Sequence, residues 1–450
     1  MFSRSILACL FLLAVTGRAR PANQARPSDD SPPFLFTAAK SYEPLAWMRG
    51  ADRFGSGAAI FIHDANGQRA FVPDFAQSAD PALSFDGKHV FFAGRAYAGD
   101  PWQIWEAAAD GSGAKPVTTG SEDCIRPFYL PENRVLYARK ISGRFVIEAA
   151  DLASGKTLTL THIPANVIPS GVLRDGRILF EAGYPLGIGS TPEIYTVYSD
   201  GSGVESYRCD HGAPRHAATQ AAGGDILFSS PPGIARFTSA RAQQVNVSAP
   251  AGDYSGGLAE TQSAKWLVSW RPTAGTTFRL MLWDQARSEL EPALEWHDTH
   301  LIQPTLLSER VVPNRHPSGL HDWPNANLLC LNAYTSKYQF VAGSIHSVRI
   351  YTRSAQGNRK LLGAAPVEKD GSFFVQVPTE QPVQIELVDF AGETLKREAG
   401  FFWMRRGEQR GCVGCHAGPE TAPENAVPMI LLKSTTPVDM TGTQTAAGGH

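Results

Sequence analysis

The stretch that decides the fold is Asp86-Gly87-Lys88-His89-Val90-Phe91-Phe92, together with the segment 103–117 that follows it. In the first piece an Asp-Gly turn leads into an apolar run. In the second, Asp110-Gly111-Ser112-Gly113 separates two short strand patterns. Asp-Gly turns supply the positive φ angles of tight hairpins, and apolar runs bounded by such turns are typical of strands. The stretch therefore predicts an antiparallel β-unit.

Units of this kind recur along the chain. Strand–turn–strand patterns occupy the segments 59–72, 103–117, 145–160, 193–207, 234–247 and 279–294. They start roughly 40–48 residues apart, which is the period of a four-stranded propeller blade. Further apolar strands lie between them, as in 175–180. Because a blade cannot bury its faces alone, we expect a six-bladed propeller over residues 41–298.

The chain changes character after residue 298. Residues 299–324 are interpreted as a linker, because they carry few apolar runs and several prolines. Strand patterns return in 325–398, where Lys369-Asp370-Gly371 is a hairpin signal, and predict a small β-sandwich. The fold class is therefore all-β. The C-terminal segment 399–432 contains a Cys-x-x-Cys-His pattern, which is typical of haem c attachment, and is assigned as haem-binding. The Thr-, Gly- and Ala-rich tail, 433–450, is predicted to be disordered.

The N-terminus is typical of an exported protein. A basic start at residues 1–4 precedes an apolar run at 5–15, and Gly17-Arg18-Ala19 offers small residues before a cut after Ala19. This is the pattern of a secretory signal peptide, too short for a membrane-spanning helix. We expect removal of 1–19, a flexible lead-in at 20–40, and a periplasmic or secreted protein without membrane insertion.

The C-terminal segment contains Cys412-Val413-Gly414-Cys415-His416. Two thiols at this spacing reach the two vinyl groups of one haem, and the histidine that follows lies under the iron. A redox dithiol would need a strand–helix context that the sequence does not suggest. A structural zinc site would need a second Cys-x-x-Cys, which the sequence lacks. Cys412, Cys415 and His416 are therefore predicted to hold one covalent haem c, with His416 on the iron.

The ligand on the other side of the iron is left open by the sequence. Met429 follows the motif, and a thioether ligand would favour electron transfer at a raised potential. Packing in an apolar core is the alternative role of this methionine. Other candidates for that position are His316, His321 and His346.

Aromatic and basic residues flank the motif on its N-terminal side. Phe401, Phe402 and Trp403 form either an apolar wall for the haem or part of the sandwich core. Arginines in the same tract are candidate partners of haem propionates, with ordinary surface solvation as the alternative: Arg405, Arg406 and Arg410.

The charge balance bears on partners. A formal net charge of −2 gives no electrostatic reason to expect nucleic acid or an anionic membrane. A redox partner protein is expected instead, and the oligomeric state is not indicated. Outside the leader and the motif, the cysteines are Cys124, Cys209 and Cys330, an odd number that cannot all pair within the chain. Cys209 also belongs to a ligand-like cluster with His211 and His216, which is either a metal site or an ordinary loop.

The sequence also resembles known families. Asp80-Pro81-Ala82-Leu83-Ser84-Phe85-Asp86-Gly87-Lys88 is similar to the TolB-like, PD40 type of propeller repeat. The order of propeller, sandwich and haem motif resembles the hydrazine synthase alpha subunit family. Three stretches carry that resemblance: 328–334, 361–373 and 402–416. It implies that Cys412 and Cys415 anchor a haem.

The chain departs from that family at the iron. The resemblance implies a tyrosine ligand four places after the motif histidine, but Glu420 stands there and no tyrosine follows Tyr351. A second haem motif is also missing. Hydrazine synthesis is therefore not expected, and His416 is the expected ligand.

Three functions fit the sequence. The preferred one is an electron-transfer monohaem cytochrome that uses its propeller as a docking platform. The second is a haem enzyme with an open distal position, acting on a small nitrogen or oxygen compound. The third is a propeller binding protein whose haem is structural.

Overall fold

The computed structural model describes residues 33–55, 57–208, 210–240, 242–354, 357–414 and 425–442. These residues form two β-domains, a propeller followed by a sandwich. The first strands of the propeller are β1 (Phe34–Ala39), β2 (Ala58–Asp64) and β3 (Gly67–Ala70), which share one sheet.

The next five sheets each take four consecutive strands. They are β4 (Gln77–Leu83), β5 (His89–Arg95), β6 (Gln103–Ala108) and β7 (Lys115–Pro116); β8 (Cys124–Leu130), β9 (Arg134–Ile141), β10 (Arg144–Asp151) and β11 (Thr157–Thr159); β12 (Val167–Val172), β13 (Ile178–Tyr184), β14 (Thr191–Val197) and β15 (Glu205–Ser206); β16 (His216–Gln220), β17 (Ile226–Ser230), β18 (Gly233–Phe237) and β19 (Val245–Asn246); β20 (Asp253–Glu260), β21 (Trp266–Arg271), β22 (Arg279–Asp284) and β23 (Glu289–Leu294). Strand β24 (His300–Leu306) then pairs antiparallel with β1 and completes the first sheet.

The sheets close into a ring. The first strands of the five consecutive sheets pack against one another in order, and β24 packs against both β20 and β4. Because the last strand completes the first sheet, hydrogen bonds between the two ends of the domain hold the ring shut. The predicted six-bladed propeller is thus confirmed over the described part of the chain.

The innermost strands are irregular. In β4, β8, β16 and β24 the ladder register shifts at a non-glycine residue with positive φ: Asp80 (57°), Arg126 (56°), Ala217 (55°) and Gln303 (57°). Each bulge breaks the two-residue alternation by which a strand is recognised from sequence. The sequence patterns therefore predicted the outer strands of these blades and missed the inner ones.

The segment between β1 and β2 crosses one end of the ring. It contains a 3₁₀ helix (Ala46–Arg49), and Asn166 donates its amide to the Met48 carbonyl at 3.0 Å. The buried Arg53 guanidinium donates two hydrogen bonds to the Asp80 carboxylate on β4, at 2.9 and 2.5 Å. Burial opposes ionisation of Asp80, but Arg53 outweighs it and the pKa of Asp80 is lowered. The pair ties the crossing segment to the inner wall of the ring.

The sandwich is built from two four-stranded sheets. Its strands in chain order are β25 (Ala326–Cys330), β26 (Ser347–Arg353), β27 (Arg359–Pro366), β28 (Phe373–Val377), β29 (Val383–Val388), β30 (Thr394–Arg397), β31 (Gln409–Cys412) and β32 (Val438–Asp439), with a short helix α1 (Met429–Lys433) before the last. One sheet has the order β31-β25-β28-β32 and the other β27-β26-β29-β30. Strands β31 and β32 are parallel to their neighbours and form the two edges of the first sheet.

Two expected boundaries of the propeller differ in the structure. The end of the predicted flexible lead-in, 20–40, is strand β1, which is buried along its whole length because sheets cover both of its faces. The start of the predicted linker, 299–324, is the closing strand β24. Pro304 is tolerated there because β24 is an edge strand of its sheet, where a missing N–H leaves no neighbour unpaired.

The predicted disordered tail, 433–450, also differs over its described part. Lys433 ends α1, and β32 adds to the sandwich beside β28. Met440 is 1% exposed and packs in the sandwich core. Burial of this side chain orders a tract that its Thr- and Gly-rich composition alone would leave loose.

Candidate functional site

The first cysteine of the motif lies on the edge of the sandwich. Cys412 ends β31, which pairs in parallel register with β25 and places Cys412 opposite Cys330. Its side chain is half-buried and packs against the sandwich core. Burial is the main influence on its thiol and raises the pKa, in spite of the nearby Arg410 charge. Cys415, His416 and Glu420 lie outside the described residues, so their predicted roles stay predictions.

The turn after Cys412 is pressed against the loop 332–335. A Cβ atom on Gly414 would lie 2.1 Å from the carbonyl oxygen of Thr335 and 2.9 Å from that of Asn332. Any side chain at this position would force the loop away, so the second variable residue of the motif must be glycine here. The backbone of the motif is thereby held against one wall of the sandwich.

Met429 sits at the start of α1. Its backbone N–H donates to Asp370 Oδ2 at 2.7 Å, and the N–H of Ile430 donates to Ser372 Oγ at 3.0 Å. The hairpin that supplies these acceptors also contacts the loop beside the motif, since the Ala333 N–H donates to the Gly371 carbonyl at 2.9 Å. The chain after the motif therefore returns to the same wall. Ligation of iron by Met429 stays a prediction.

The aromatic residues before the motif dock the sandwich onto the propeller. Trp403 is fully buried in the core of the third and fourth blades, and its Nε1–H donates to the Gly201 carbonyl at 2.9 Å. Phe402 packs against this core and against the sandwich core, and Phe401 lies over Gly187. The sequence offered a haem wall or a sandwich core. Trp403 serves a propeller–sandwich interface instead, because its tract lies between the two domains.

Two of the three arginines are used at the same interface. Arg405 donates to the Thr159 carbonyl at 3.2 Å and pairs with Glu380 at 3.1 Å. Arg410 donates to the Val204 carbonyl at 2.6 Å. Arg406 is exposed. Domain docking thus occupies Arg405 and Arg410, and Arg406 is the arginine of this set whose side chain is open to solvent.

His162 is an interface residue that the sequence did not single out. Its Nε2 accepts a hydrogen bond from Arg405 at 2.8 Å, which requires a neutral imidazole. Burial and the Arg405 charge lower the pKa of His162 to about 4. Only the fold could reveal this contact, because the two residues are 243 positions apart.

This contact predicts a pH dependence of stability. In the unfolded chain His162 should titrate near its usual pKa of about 6.5, above the folded value. Between that pKa and about 4, the unfolded state binds a proton that the folded state does not. Stability should therefore fall as the pH is lowered through this window, by at most about 1.4 kcal/mol per pH unit.

Urea unfolding at pH values from 4 to 8 measures the effect. In His162→Gln the amide oxygen can still accept from Arg405, but no proton is taken up, so the decline should be shallower than in the wild type. Other histidines with lowered pKa values, such as His216 and His63, contribute equally to both proteins. Superimposable pH profiles of the two proteins would contradict the assignment.

The ligand-like cluster of the sequence is only partly described. His211 stacks on Tyr184, and its Nδ1 lies 3.0 Å from Glu193 Oε2, which also accepts from Arg215. His216 is on the innermost strand β16. Cys209 lies outside the described residues, and among those described no group of three potential ligands is placed to hold a metal ion. Metal binding at this loop therefore gains no support from the described side chains.

The three other histidines considered as iron ligands stack on aromatic rings. His316 lies on Tyr198 and His321 on Trp323, with ring centroids 3.9 and 4.8 Å apart. His346 lies beside Phe390 at 4.3 Å. Each imidazole thus packs against an aromatic ring.

The described part of the motif fits a covalent haem. Strand β31 is at a sheet edge, so in the described chain no strand flanks it on the side away from β25. Cys412 ends this edge strand and is followed by the exposed Val413, so the motif begins at a border of the sheet. Two thiols and an imidazole are the donor set that haem c requires. The described geometry and the sequence are therefore compatible with the cofactor.

Comparisons with known proteins agree with this arrangement. Residues 333–417 match the family described as the hydrazine synthase alpha subunit middle domain. Over 75 residues the chain is 37% identical to hydrazine synthase subunit alpha of Kuenenia stuttgartiensis, a match that covers 16% of this chain and 9% of that protein. The curated relative is thus matched over a small part of its length.

Solved structures extend the similarity to both domains. Hydrazine synthase of Kuenenia stuttgartiensis has a TM-score of 0.78 at 16% identity, covering 89% of this chain and 71% of that one. TolB from Acinetobacter baumannii has a TM-score of 0.48 at 14% identity, covering 62% and 67%. The first of these shows that the propeller and sandwich share their fold with hydrazine synthase.

Within the described part of the chain, no helix has the length and apolarity needed to cross a bilayer.

Proposed function

Since this chain resembles the hydrazine synthase alpha subunit in fold and over residues 333–417, we propose that it is a periplasmic or secreted haem c protein that transfers electrons. Cys412 and Cys415 carry one covalent haem, and His416 binds its iron. The observation that carries the proposal is the place of Cys412, on an edge strand inside the matched domain. The signal-peptide pattern of residues 1–19 supports attachment outside the cytoplasm.

The chain's own residues would position such a group. A bound haem c supplies one-electron chemistry at its iron. Cys412 would attach the group to β31, which the ladder with β25 holds in place. Trp403 and Arg405 lock the sandwich onto the propeller. A partner protein docked on the propeller would therefore meet the cofactor in one fixed geometry.

A haem enzyme with an open distal position is the second candidate, and the resemblance to hydrazine synthase favours it. Glu420 in place of a tyrosine argues against hydrazine synthesis itself. Met429 begins α1, whose anchoring hairpin touches the loop beside the motif, so its thioether would be a further residue available to hold the iron. Such a ligand would favour electron transfer.

Visible spectra of the protein, expressed with the haem c maturation machinery, separate these functions. Electron transfer predicts a low-spin iron in both redox states that does not bind CO. A high-spin ferrous iron that binds CO or nitrite would contradict electron transfer and support the haem enzyme with an open distal position. If physiological donors cannot reduce the haem, the haem has a structural role and the propeller acts as a binding module.

The iron ligand has its own prediction. In His416→Ala the thioethers keep the haem attached, but the low-spin, nitrogen-ligated signal in electron paramagnetic resonance should be lost. His297→Ala is the matched control, since this propeller histidine is 94% exposed and should leave the signal unchanged. If the spectrum of His416→Ala equals that of the wild type, the ligand comes from elsewhere, and Glu420 and Met429 are the next positions to test.

A further inference from the structure

Two cysteines lie side by side in the sandwich sheet. Strands β25 and β31 run parallel, and their register pairs Asn327 with Gln409 through to Cys330 with Cys412. Both Cys330 and Cys412 are thiols in the structure. The sequence placed them 82 positions apart with no sign of contact, and only the parallel pairing brings them together.

Their side chains point to the same face of the sheet. Along β25 the residues Ala326, Leu328 and Cys330 are buried in the sandwich core. Cys412 packs against the same core from the neighbouring strand. Residues in register on adjacent strands project to the same side, so both thiols lie on the core face of this sheet.

The spacing suits a covalent bond. Neighbouring strands lie about 4.8 Å apart, and disulfides span Cα separations of about 4.4–6.8 Å. The Cα separation expected from the sheet spacing therefore lies within the range of disulfides. Aligned Cα–Cβ bonds keep the two Cβ atoms at about that same spacing, slightly more than the separation of about 3.5–4.5 Å in a disulfide, so the bond requires the edge strand β31 to tilt toward β25.

We propose that Cys330 and Cys412 form a disulfide in the haem-free chain, and that this bond withholds Cys412 from haem attachment until it is reduced. An external disulfide oxidant such as oxidised glutathione accepts the two electrons. One sulfur–sulfur bond forms in the protein, the oxidant's own disulfide is cleaved, and the two thiol protons pass to the two released glutathione thiols. Reduction reverses the step and restores the Cys412 thiol.

The disulfide would also control attachment of the haem. This part of the inference rests on the proposed function. A thioether and a disulfide need the same sulfur of Cys412, so the two states exclude each other. Cys330 then acts as a resolving thiol for the first cysteine of the motif. Oxidising conditions before haem delivery would trap the chain without cofactor, and a thiol reductant would release it.

Peptide mapping tests the disulfide directly. The chain is made without maturation machinery, equilibrated at pH 8.5 with oxidised and reduced glutathione, alkylated with iodoacetamide and digested with trypsin. The high pH offsets the raised pKa of the Cys412 thiol. Cys330 falls in the tryptic peptide 316–337, whereas Cys412 and Cys415 share the peptide 411–433. The inference predicts a cross-link between these two peptides.

Variants resolve the alternatives. In Cys415→Ser the cross-link should persist, and in Cys330→Ala it should disappear. Cys124 is an internal control, because burial raises the pKa of its thiol to about 11 and it should stay reduced. A bond confined to the 411–433 peptide, between Cys412 and Cys415, would overturn the inference, as would complete alkylation of Cys330 and Cys412 under oxidising conditions.

Haem content tests separately whether the disulfide controls haem attachment. With maturation machinery present, oxidising conditions should lower the haem content of the wild type several-fold more than that of Cys330→Ala. Equal haem loading in both proteins would refute the control of maturation. If the cross-link forms but haem never attaches even under reduction, the proposed function fails and the disulfide stands.

Discussion

Replacing Trp403 with alanine should destabilise the protein by about 3–5 kcal/mol, the range for truncating a large buried aromatic side chain. Trp403 is fully buried among residues of the third and fourth blades, although it belongs to the chain that leaves the sandwich. Its truncation leaves a cavity and removes the hydrogen bond to the Gly201 carbonyl. Both losses fall on the contact that joins the two domains.

Urea unfolding followed by circular dichroism measures this effect, with two matched variants. Trp403→Phe keeps most of the ring volume and loses the N–H donor, so its cost should be smaller than that of alanine. Trp323→Ala removes a tryptophan that is 50% exposed and stacks on His321, so its cost should be within about 0.5 kcal/mol. A Trp403→Ala cost no larger than that of Trp323→Ala would show that the docking contact contributes little.

The outer parts of the blades could be predicted because local turn chemistry determines them. In the second blade the N–H of Ser112 donates to Asp110 Oδ1 at 2.9 Å, and Gly111 has φ 92°. A Cβ atom on Gly111 would also lie 1.9 Å from the Phe71 carbonyl oxygen, so the turn requires glycine. Signals of this kind lie within a few residues and are readable from sequence.

The inner strands and the ring closure were not predictable in the same way. Asp80 and Gln303 adopt positive φ at bulges, which interrupts the alternation of their strands. Strand β24 resembles a linker in composition, and only its pairing with β1, more than 250 residues earlier, makes it a strand. Contacts between distant parts of the chain decide both features.

The candidate site also combines features that are local in sequence with contacts between distant residues. Cys412, Cys415 and His416 were predicted as a haem site from spacing alone, because the chemistry of haem attachment fixes that spacing. The docking roles of Trp403 and Arg405 could not be predicted from the sequence, because their partners lie more than 200 positions away. An aromatic–arginine tract before a haem motif is equally compatible with a cofactor wall and with a domain interface.

The largest functional effect is expected from the motif cysteines. Removing both thiols in Cys412→Ala/Cys415→Ala eliminates both thioether bonds, so covalent haem should be lost completely. The substitution at Cys412 shortens a half-buried side chain at a sheet edge, where the ladder between β31 and β25 depends on the backbone and should persist. Circular dichroism of the double variant should therefore match that of haem-free wild type, which separates loss of the cofactor from loss of the fold.

Mass spectrometry of the denatured, mature protein tests the presence of the cofactor most directly. After expression with the haem c maturation machinery under reducing conditions, the wild type should show the mass of the processed chain plus one haem. Cys412→Ala/Cys415→Ala should show the mass of its chain alone. A wild-type mass without any haem addition, measured on a preparation in which a control c-type cytochrome is fully loaded, would contradict the account.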